Sequence, residues 1–178
     1  CGTVTSCYAT GSVSGIGKVG GLVGYNYGST LTSCYATCSV SGTGYDFVGG
    51  LVGTNYEGAI TSCYATGSVT GAGYAVGGLV GYNYGSILTS CYATGSVTGT
   101  GQVGGLVGHI NYGSTLTDCY ATGSVSGDSE VGGLVGWNYQ EKVIRCYSTG
   151  KPSGTSNIGG LCGYITTGGS YEDTGNFW

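Results

Sequence analysis

The sequence has little of what defines most enzymes and nucleic-acid-binding domains. It contains one Pro, no Met, one His and four basic side chains, and charged residues make up only 7% of its 178 positions. A net charge of −4 with so few basic residues excludes a basic nucleic-acid footprint. No apolar run approaches the roughly 18 residues that a membrane-spanning helix needs, so we expect no membrane span.

Motifs that carry chemistry are missing as well. There is no Cys-x-x-Cys pair, the one His is His109, and the eight acidic residues show neither a calcium-loop spacing nor a paired-acid arrangement. We therefore expect no catalytic residues, no metal site and no cofactor, and we predict that the protein is not an enzyme. His109 is expected to lie on the surface.

The chain is instead rich in Gly, Tyr and Cys, with 41 Gly, 17 Tyr and 9 Cys, and many of these residues recur at regular intervals. Val-Gly-Gly-Leu-Val-Gly occurs five times and returns once as Ile-Gly-Gly-Leu-Cys-Gly, at residues 19–24, 48–53, 76–81, 103–108, 131–136 and 158–163. Cys-Tyr occurs six times at the same spacing of 27–29 residues. Self-similarity at such a period indicates stacked supersecondary units.

The period predicts an all-β fold, a parallel β-solenoid (β-helix) of about six coils of 27–29 residues, with two or three short strands in each. One repeat domain would span residues 1–178, with units near 7–33, 34–62, 63–90, 91–118, 119–145 and 146–169 and a partial seventh unit at 170–178. A turn of varying length in each unit is expected to be an exposed loop.

Alternation along a strand assigns side chains to two faces. The residue before each Cys is Ser, Asp or Arg and should face solvent, together with the Tyr and Thr that follow. The Thr two residues before each Cys, the Cys itself and the Ala after the Tyr should point inward. The Asn of the repeated Gly-Tyr-Asn-Tyr is expected to form a hydrogen-bonded ladder.

The outward residues form our candidate surface. It consists of a Tyr column and the Thr beside it: Tyr8, Tyr35, Tyr64, Tyr92, Tyr120, Tyr147, Thr37, Thr66, Thr94 and Thr122. One interpretation is a self-stacking ladder that stabilises the sheet. A second is an aromatic and hydroxyl surface that binds a glycan or a partner. Ice binding is a distant third, because a bulky Tyr beside each Thr breaks a flat array.

The inward Cys ladder is Cys7, Cys34, Cys63, Cys91, Cys119 and Cys146. Stacked strands bring these residues within the Cα range of a disulfide, but a column of free thiols acting as small apolar side chains is favoured. Cys1, Cys38 and Cys162 lie off the ladder and are candidates for an intermolecular link. Cys1 is also open to lipidation.

The strings Gly-Leu-Val-Gly and Cys-Tyr-Ala-Thr-Gly-Ser-Val resemble the two halves of the GLUG repeat, which takes its name from a Gly-Leu-x-Gly core. Repeats of this family occur in large bacterial and archaeal surface proteins, in adhesin-like proteins and in spacer regions of metallopeptidases that cleave immunoglobulin A. The resemblance implies a β-helical, extracellular part. It does not imply catalysis, because the His-Glu-x-x-His zinc signature is absent.

The expected function is therefore that of a non-enzymatic structural or adhesive element at the cell surface. Both ends of the sequence fall within repeats, which suggests either the subunit of a head-to-tail filament or a segment of a longer surface array. The second strand, apolar on both faces with Gly between, is a surface that another sheet could approach closely. Partners would be copies of the chain, the rest of a larger surface protein, or a glycan.

Overall fold

A computed structural model describes residues 2–45 and 47–166, and every regular element in them is a β-strand. The strands form five parallel sheets of six strands each, so the described chain winds as six coils. The predicted parallel β-solenoid is confirmed. Cys1 and the predicted partial seventh unit, 170–178, lie outside the described residues.

Each coil contributes five short strands rather than the two or three that we predicted. Coil 1 holds β1 (Thr3–Thr5), β2 (Tyr8–Ala9), β3 (Ser12–Gly15), β4 (Lys18–Gly20) and β5 (Val23–Tyr27). Coil 2 holds β6 (Thr30–Thr32), β7 (Tyr35–Ala36), β8 (Ser39–Gly42), β9 (Phe47–Gly49) and β10 (Val52–Tyr56). Coil 3 holds β11 (Ala59–Thr61), β12 (Tyr64–Ala65), β13 (Val69–Gly71), β14 (Ala75–Gly77) and β15 (Val80–Tyr84).

The remaining coils repeat this order. Coil 4 holds β16 (Ile87–Thr89), β17 (Tyr92–Ala93), β18 (Val97–Thr98), β19 (Gln102–Gly104) and β20 (Val107–Asn111). Coil 5 holds β21 (Thr115–Thr117), β22 (Tyr120–Ala121), β23 (Val125–Ser126), β24 (Ser129–Gly132) and β25 (Val135–Asn138). Coil 6 holds β26 (Lys142–Ile144), β27 (Tyr147–Ser148), β28 (Pro152–Ser153), β29 (Ser156–Gly159) and β30 (Cys162–Ile165).

Equivalent strands of successive coils pair in register, with Tyr64 opposite both Tyr35 and Tyr92. We number the five sheets 1 to 5 by the strand that coil 1 gives them, so β1 starts sheet 1 and β5 starts sheet 5. In-register stacking places identical side chains in columns along the solenoid axis, because each sheet repeats the same residue at every coil.

A left-handed residue divides what we predicted as one strand into two. The residue before each repeated Cys has φ between 50° and 55° in all six coils: Ser6, Ser33, Ser62, Ser90, Asp118 and Arg145. All six side chains are exposed, as predicted. This conformation turns the chain between sheets 1 and 2.

The corner also changes which side chains point inward. Thr32 before Ser33 is half-buried, whereas Leu31 is 1% exposed, so the prediction of an inward Thr is wrong. Alternation restarts after the left-handed residue, because that residue breaks the regular strand geometry. Inward positions are therefore the Leu, Ile or Val of sheet 1, followed by the Cys and the Ala.

Glycine permits sheets 4 and 5 to lie backbone against backbone. A Cβ on Gly81 would lie 2.6 Å from Val48 N and 2.7 Å from Gly53 O, distances that leave no room for a side chain. The surface that we predicted another sheet could approach is thus occupied by a sheet of the same chain. It gives no support to assembly between chains.

The Asn ladder is confirmed over three coils. Asn26 Nδ2 donates to Asn55 Oδ1 at 2.7 Å, and Asn55 Nδ2 donates to Asn83 Oδ1 at 2.9 Å. In coil 4 the extra residue of the sequence puts Ile110 opposite Asn83, and the ladder stops there. Asn138 of coil 5 bonds instead within its own corner, donating to Glu141 O and accepting from Glu141 N.

Candidate binding surfaces of the solenoid

The predicted Tyr column is a continuous stack along sheet 2. Adjacent rings from Tyr8 to Tyr147 lie 4.8–5.1 Å apart between centroids, at interplanar angles of 2–6°. Each inner ring therefore has both of its faces against neighbouring Tyr rings. Only ring edges and phenol hydroxyls remain for a partner, which limits this column to edge and hydrogen-bond contacts.

Three further columns of small residues with exposed or half-buried side chains lie beside the Tyr stack. They are Thr10, Thr37, Thr66, Thr94, Thr122 and Thr149; Ser12, Ser39, Ser68, Ser96, Ser124 and Lys151; and Ser14, Ser41, Thr70, Thr98, Ser126 and Ser153. We call these columns and the Tyr stack the hydroxyl face, because every position except Lys151 carries a hydroxyl. Some hydroxyls contact along the column, as Thr98 Oγ1 and Ser126 Oγ do at 3.1 Å.

A second Tyr ladder was missed by the sequence analysis. Tyr27, Tyr56, Tyr84 and Tyr112 stack at 4.5–5.4 Å at the end of sheet 5. The signal was the second Tyr of the recurring Gly-Tyr-Asn-Tyr string, which returns at steps of 28–29 residues. This ladder lies at a corner, on a different sheet from the hydroxyl face.

The structure places five of the six ladder cysteines in the core. Cys34, Cys63, Cys91, Cys119 and Cys146 are at most 1% exposed. Cys7 holds the equivalent ladder position but is exposed. Cys7 belongs to the first described coil, where no earlier coil in the structure covers it.

Each ladder thiol closes the left-handed corner. The Sγ of Cys63 donates to the carbonyl of Thr61 at 3.2 Å, and the equivalent bond from each Cys to the residue two before it occurs in every coil. Burial raises the pKa of the Cys63 thiol to about 11, so this thiol is protonated at neutral pH. Cys7, Cys34, Cys63, Cys91 and Cys119 are free thiols.

The off-ladder cysteines have separate environments. Cys38 is buried and free and donates to Gly21 O at 3.6 Å. Cys162 is half-buried and lies opposite Val135 in sheet 5. Cys1 lies outside the described residues.

His109 is buried, and the prediction of a surface His is wrong. Its side chain is 5% exposed and lies in an outward column of sheet 5 with Tyr25, Thr54, Tyr82, Trp137 and Tyr164. Tyr82, Trp137 and the loop residue Tyr74 surround the imidazole at centroid distances of 5.0, 5.2 and 6.0 Å. Burial lowers the pKa of His109 to about 4.

The part of the chain that the structure describes offers few groups of residues that could carry out chemistry. Residues 2–45 and 47–166 contain no group of three or more His, Cys, Asp or Glu positioned to hold a metal ion. The same residues form no helix that is long and apolar enough to cross a membrane. Asp118 and Arg145 form an exposed ion pair at 2.7 Å across two successive corners.

These features define a β-solenoid repeat protein whose surfaces are ladders of like side chains. The family model of the GLUG motif matches residues 17–43, 48–70, 72–98 and 99–126, together more than half of the chain. The chain belongs to the GLUG-motif family. Searches of curated proteins and of solved structures each returned no significant match.

Proposed function

We propose that this protein is a non-enzymatic structural element of an extracellular surface, and that it forms part of a longer array of solenoid coils. The observation that supports this most is the uninterrupted stack. Five sheets run through six coils, and the core of coils 2 to 5 is 0–2% exposed. Such a stack is a stiff rod about 30 Å long, given coil spacings near 4.8 Å.

The outer edge of coil 1 is a cross-section of the core that the described chain leaves uncovered. Val4, Val13, Leu22 and Val23 are only partly buried there, whereas their equivalents in coil 3 are 0–1% exposed. The surface that fits this edge is another coil of the same cross-section, because it would continue every column in register. A preceding repeat in a longer protein or a second copy of the chain would supply it.

The outer edge of coil 6 differs from that of coil 1. Val40, Val69, Val97 and Val125 each donate an N–H to the next coil, and coil 6 has Pro152 at this position. Pro lacks that donor, and both Pro and Lys on an edge oppose strand addition. Lys142, Arg145 and Lys151 also lie in coil 6. These features disfavour addition of a second copy at this edge, and so disfavour an open head-to-tail filament.

An extracellular location agrees with the state of the cysteines. Buried thiols are shielded from oxidants, and the raised pKa of Cys63 makes that thiol poorly reactive, because oxidation and exchange proceed through the thiolate. The buried ladder cysteines would then be compatible with an oxidising compartment without a disulfide framework. The low charge and the hydroxyl face suit contact with other macromolecules.

The test changes each edge separately and follows association by sedimentation. Leu22→Lys should abolish any self-association that uses the coil 1 edge, while Ile16→Lys, on an 81% exposed side chain, should leave it unchanged. Pro152→Val should increase association by restoring an edge donor. Association that is insensitive to both edge variants would count against coil-on-coil contact.

A second candidate function is adhesion to a glycan through the hydroxyl face. It is favoured by the regular, nearly uncharged array of hydroxyls, whereas the stacked Tyr rings offer no inner ring face to a sugar. The double variant Tyr64→Phe with Tyr92→Phe would keep the ring stack and remove two hydroxyls. The double variant Tyr64→Ala with Tyr92→Ala would remove the two rings. Retention lost with Phe while the fold survives supports binding. If the Phe variant is still retained on the glycan, and the Ala variant loses retention only together with its fold, then the ladder has a structural role.

A further inference from the structure

The loops between sheets 3 and 4 line a cleft together with residues of sheets 4 and 5. It has a volume of about 330 Å³ and crosses from coil 2 to coil 5. Tyr45, Tyr74 and Trp137 give it aromatic walls, and Gln102 and Glu130 give it polar ones. This is the loop whose length varies most between repeats, so it is the part of the coil least constrained by stacking.

Gln102 and Trp137 of the cleft lining, and the His109 ring stacked on Trp137, hold unpaired polar atoms. Six buried side-chain nitrogen or oxygen atoms of the described residues have no hydrogen-bond partner, and four of them belong to Gln102, His109 and Trp137. Gln102 lines the cleft and is 3% exposed, yet its Oε1 has no donor. A buried amide left without a partner costs about 1–3 kcal/mol, so this arrangement needs a compensating role.

The same three residues are departures from the repeat. His109 and Trp137 stand in a column that otherwise holds Tyr or Thr, and Gln102 lies opposite Ala75 and two coils from Phe47. The stacked rings of His109 and Trp137 form one layer behind the cleft. Stacking of the coils does not by itself require polar residues at these positions, because apolar side chains there would leave no polar atom unpaired.

We propose that this cleft binds a small neutral saccharide. Its hydroxyls would bond to the amide of Gln102 and to Glu130, while its apolar ring faces would lie against the exposed rings of Tyr45 and Tyr74. Mixed aromatic and hydrogen-bonding walls are the chemistry that suits such a ligand. The lining contains no basic side chain, which disfavours an anionic ligand. This inference does not rest on the proposed structural role.

The experiment titrates the purified chain with a panel of neutral mono- and disaccharides and follows Trp fluorescence and heat of binding. Trp137→Phe serves to assign the fluorescence signal, since Trp178 also emits. We expect one saccharide class to bind. Gln102→Ala should weaken that binding by at least about tenfold, which is the effect of losing one good hydrogen bond. Circular dichroism checks that each variant keeps the fold.

The matched control is on the hydroxyl face. Thr66→Val with Thr94→Val should leave cleft binding unchanged, which separates this site from adhesion through the Tyr and Thr columns. Two results would overturn the proposal. One is that no saccharide of the panel binds at millimolar concentration. The other is that a quaternary ammonium probe such as choline binds and the saccharides do not, which would make the cleft an aromatic site for cations.

Discussion

The imidazole of His109 stacks on the indole of Trp137, with centroids 5.2 Å apart and planes 9° from parallel. Neither imidazole nitrogen has a hydrogen-bond partner among the described residues. A charged imidazolium at this place would be desolvated without an acidic partner to compensate it. The ring is therefore held neutral, and this makes the stability of coils 3 to 5 dependent on pH.

Acidification should destabilise the protein through His109. Its pKa is about 4 in the folded chain and near 6.5 in the unfolded chain, so between these values the unfolded state binds the extra proton. Stability should be full above pH 6.5 and fall as the pH drops towards 4, by up to about 3 kcal/mol. Urea unfolding at a series of pH values measures this loss.

His109→Phe is the matched variant, because it keeps an aromatic ring in the column and removes the titrating group. Its stability should change much less between pH 6.5 and 4 than that of the parent chain. If both proteins lose stability equally over that range, His109 is not the titrating group and its burial is not maintained in solution.

The glycines that separate sheets 4 and 5 should be intolerant of any side chain. Gly81→Ala would place a methyl group against Val48 N and Gly53 O, which are backbone atoms that cannot rotate away. We expect a loss of more than about 3 kcal/mol or failure to fold. Gly15→Ala is the control, since its nearest neighbour would be Val19 Cγ2 at an ordinary 3.5 Å. Equal stability of the two variants in urea would contradict the close packing of these sheets.

The Asn ladder should be strongest at its centre. Asn55→Ala removes two ladder bonds and leaves Asn83 Oδ1 buried without a donor, for a loss of about 2–4 kcal/mol. Asn26→Ala removes one buried ladder bond and a part-buried bond to Ser29 O, so it should cost less. Thermal or urea unfolding of the two variants gives the order directly, and a larger effect for Asn26→Ala would be inconsistent with a ladder.

The cysteines should divide into reactive and protected groups. Under native conditions an alkylating reagent should modify Cys7 quickly and leave Cys34, Cys63, Cys91 and Cys119 unmodified until the chain unfolds. Peptide mass spectrometry with and without a reductant reads both the labelling and any disulfide. Adjacent ladder cysteines recovered as disulfides would show that the column is oxidised instead.

The period and the in-register columns were predictable, because each rests on a residue type that recurs at fixed phase. The Tyr column, the inward Cys and most of the Asn ladder follow from that repetition. The corner at Ser33 was not predictable in the same way, since Ser, Asp and Arg carry no strong signal for a positive φ. That single dihedral reverses the inward assignment of Thr32 and divides one predicted strand into two.

The burial of His109 could not be predicted from the sequence for a different reason. Its column is outward by alternation, and the packing of Tyr74, Tyr82 and Trp137 around it removes the ring from water. Coverage by a loop of variable length leaves no periodic signal. The cleft was missed for the same reason, because Tyr45, Tyr74 and Gln102 come together only when three successive coils are stacked.

The central claim is that the chain is a rigid solenoid rod that is part of an array and has two unlike edges. Negative-stain electron microscopy of the purified protein, together with its size distribution in solution, tests this most directly. The account predicts separate short rods, one or two chain lengths of about 30 Å each, because the edge of coil 6 with Pro152 resists addition of a further coil. Long uniform fibres with an axial repeat of about 30 Å would contradict it and would make the protein a head-to-tail filament subunit.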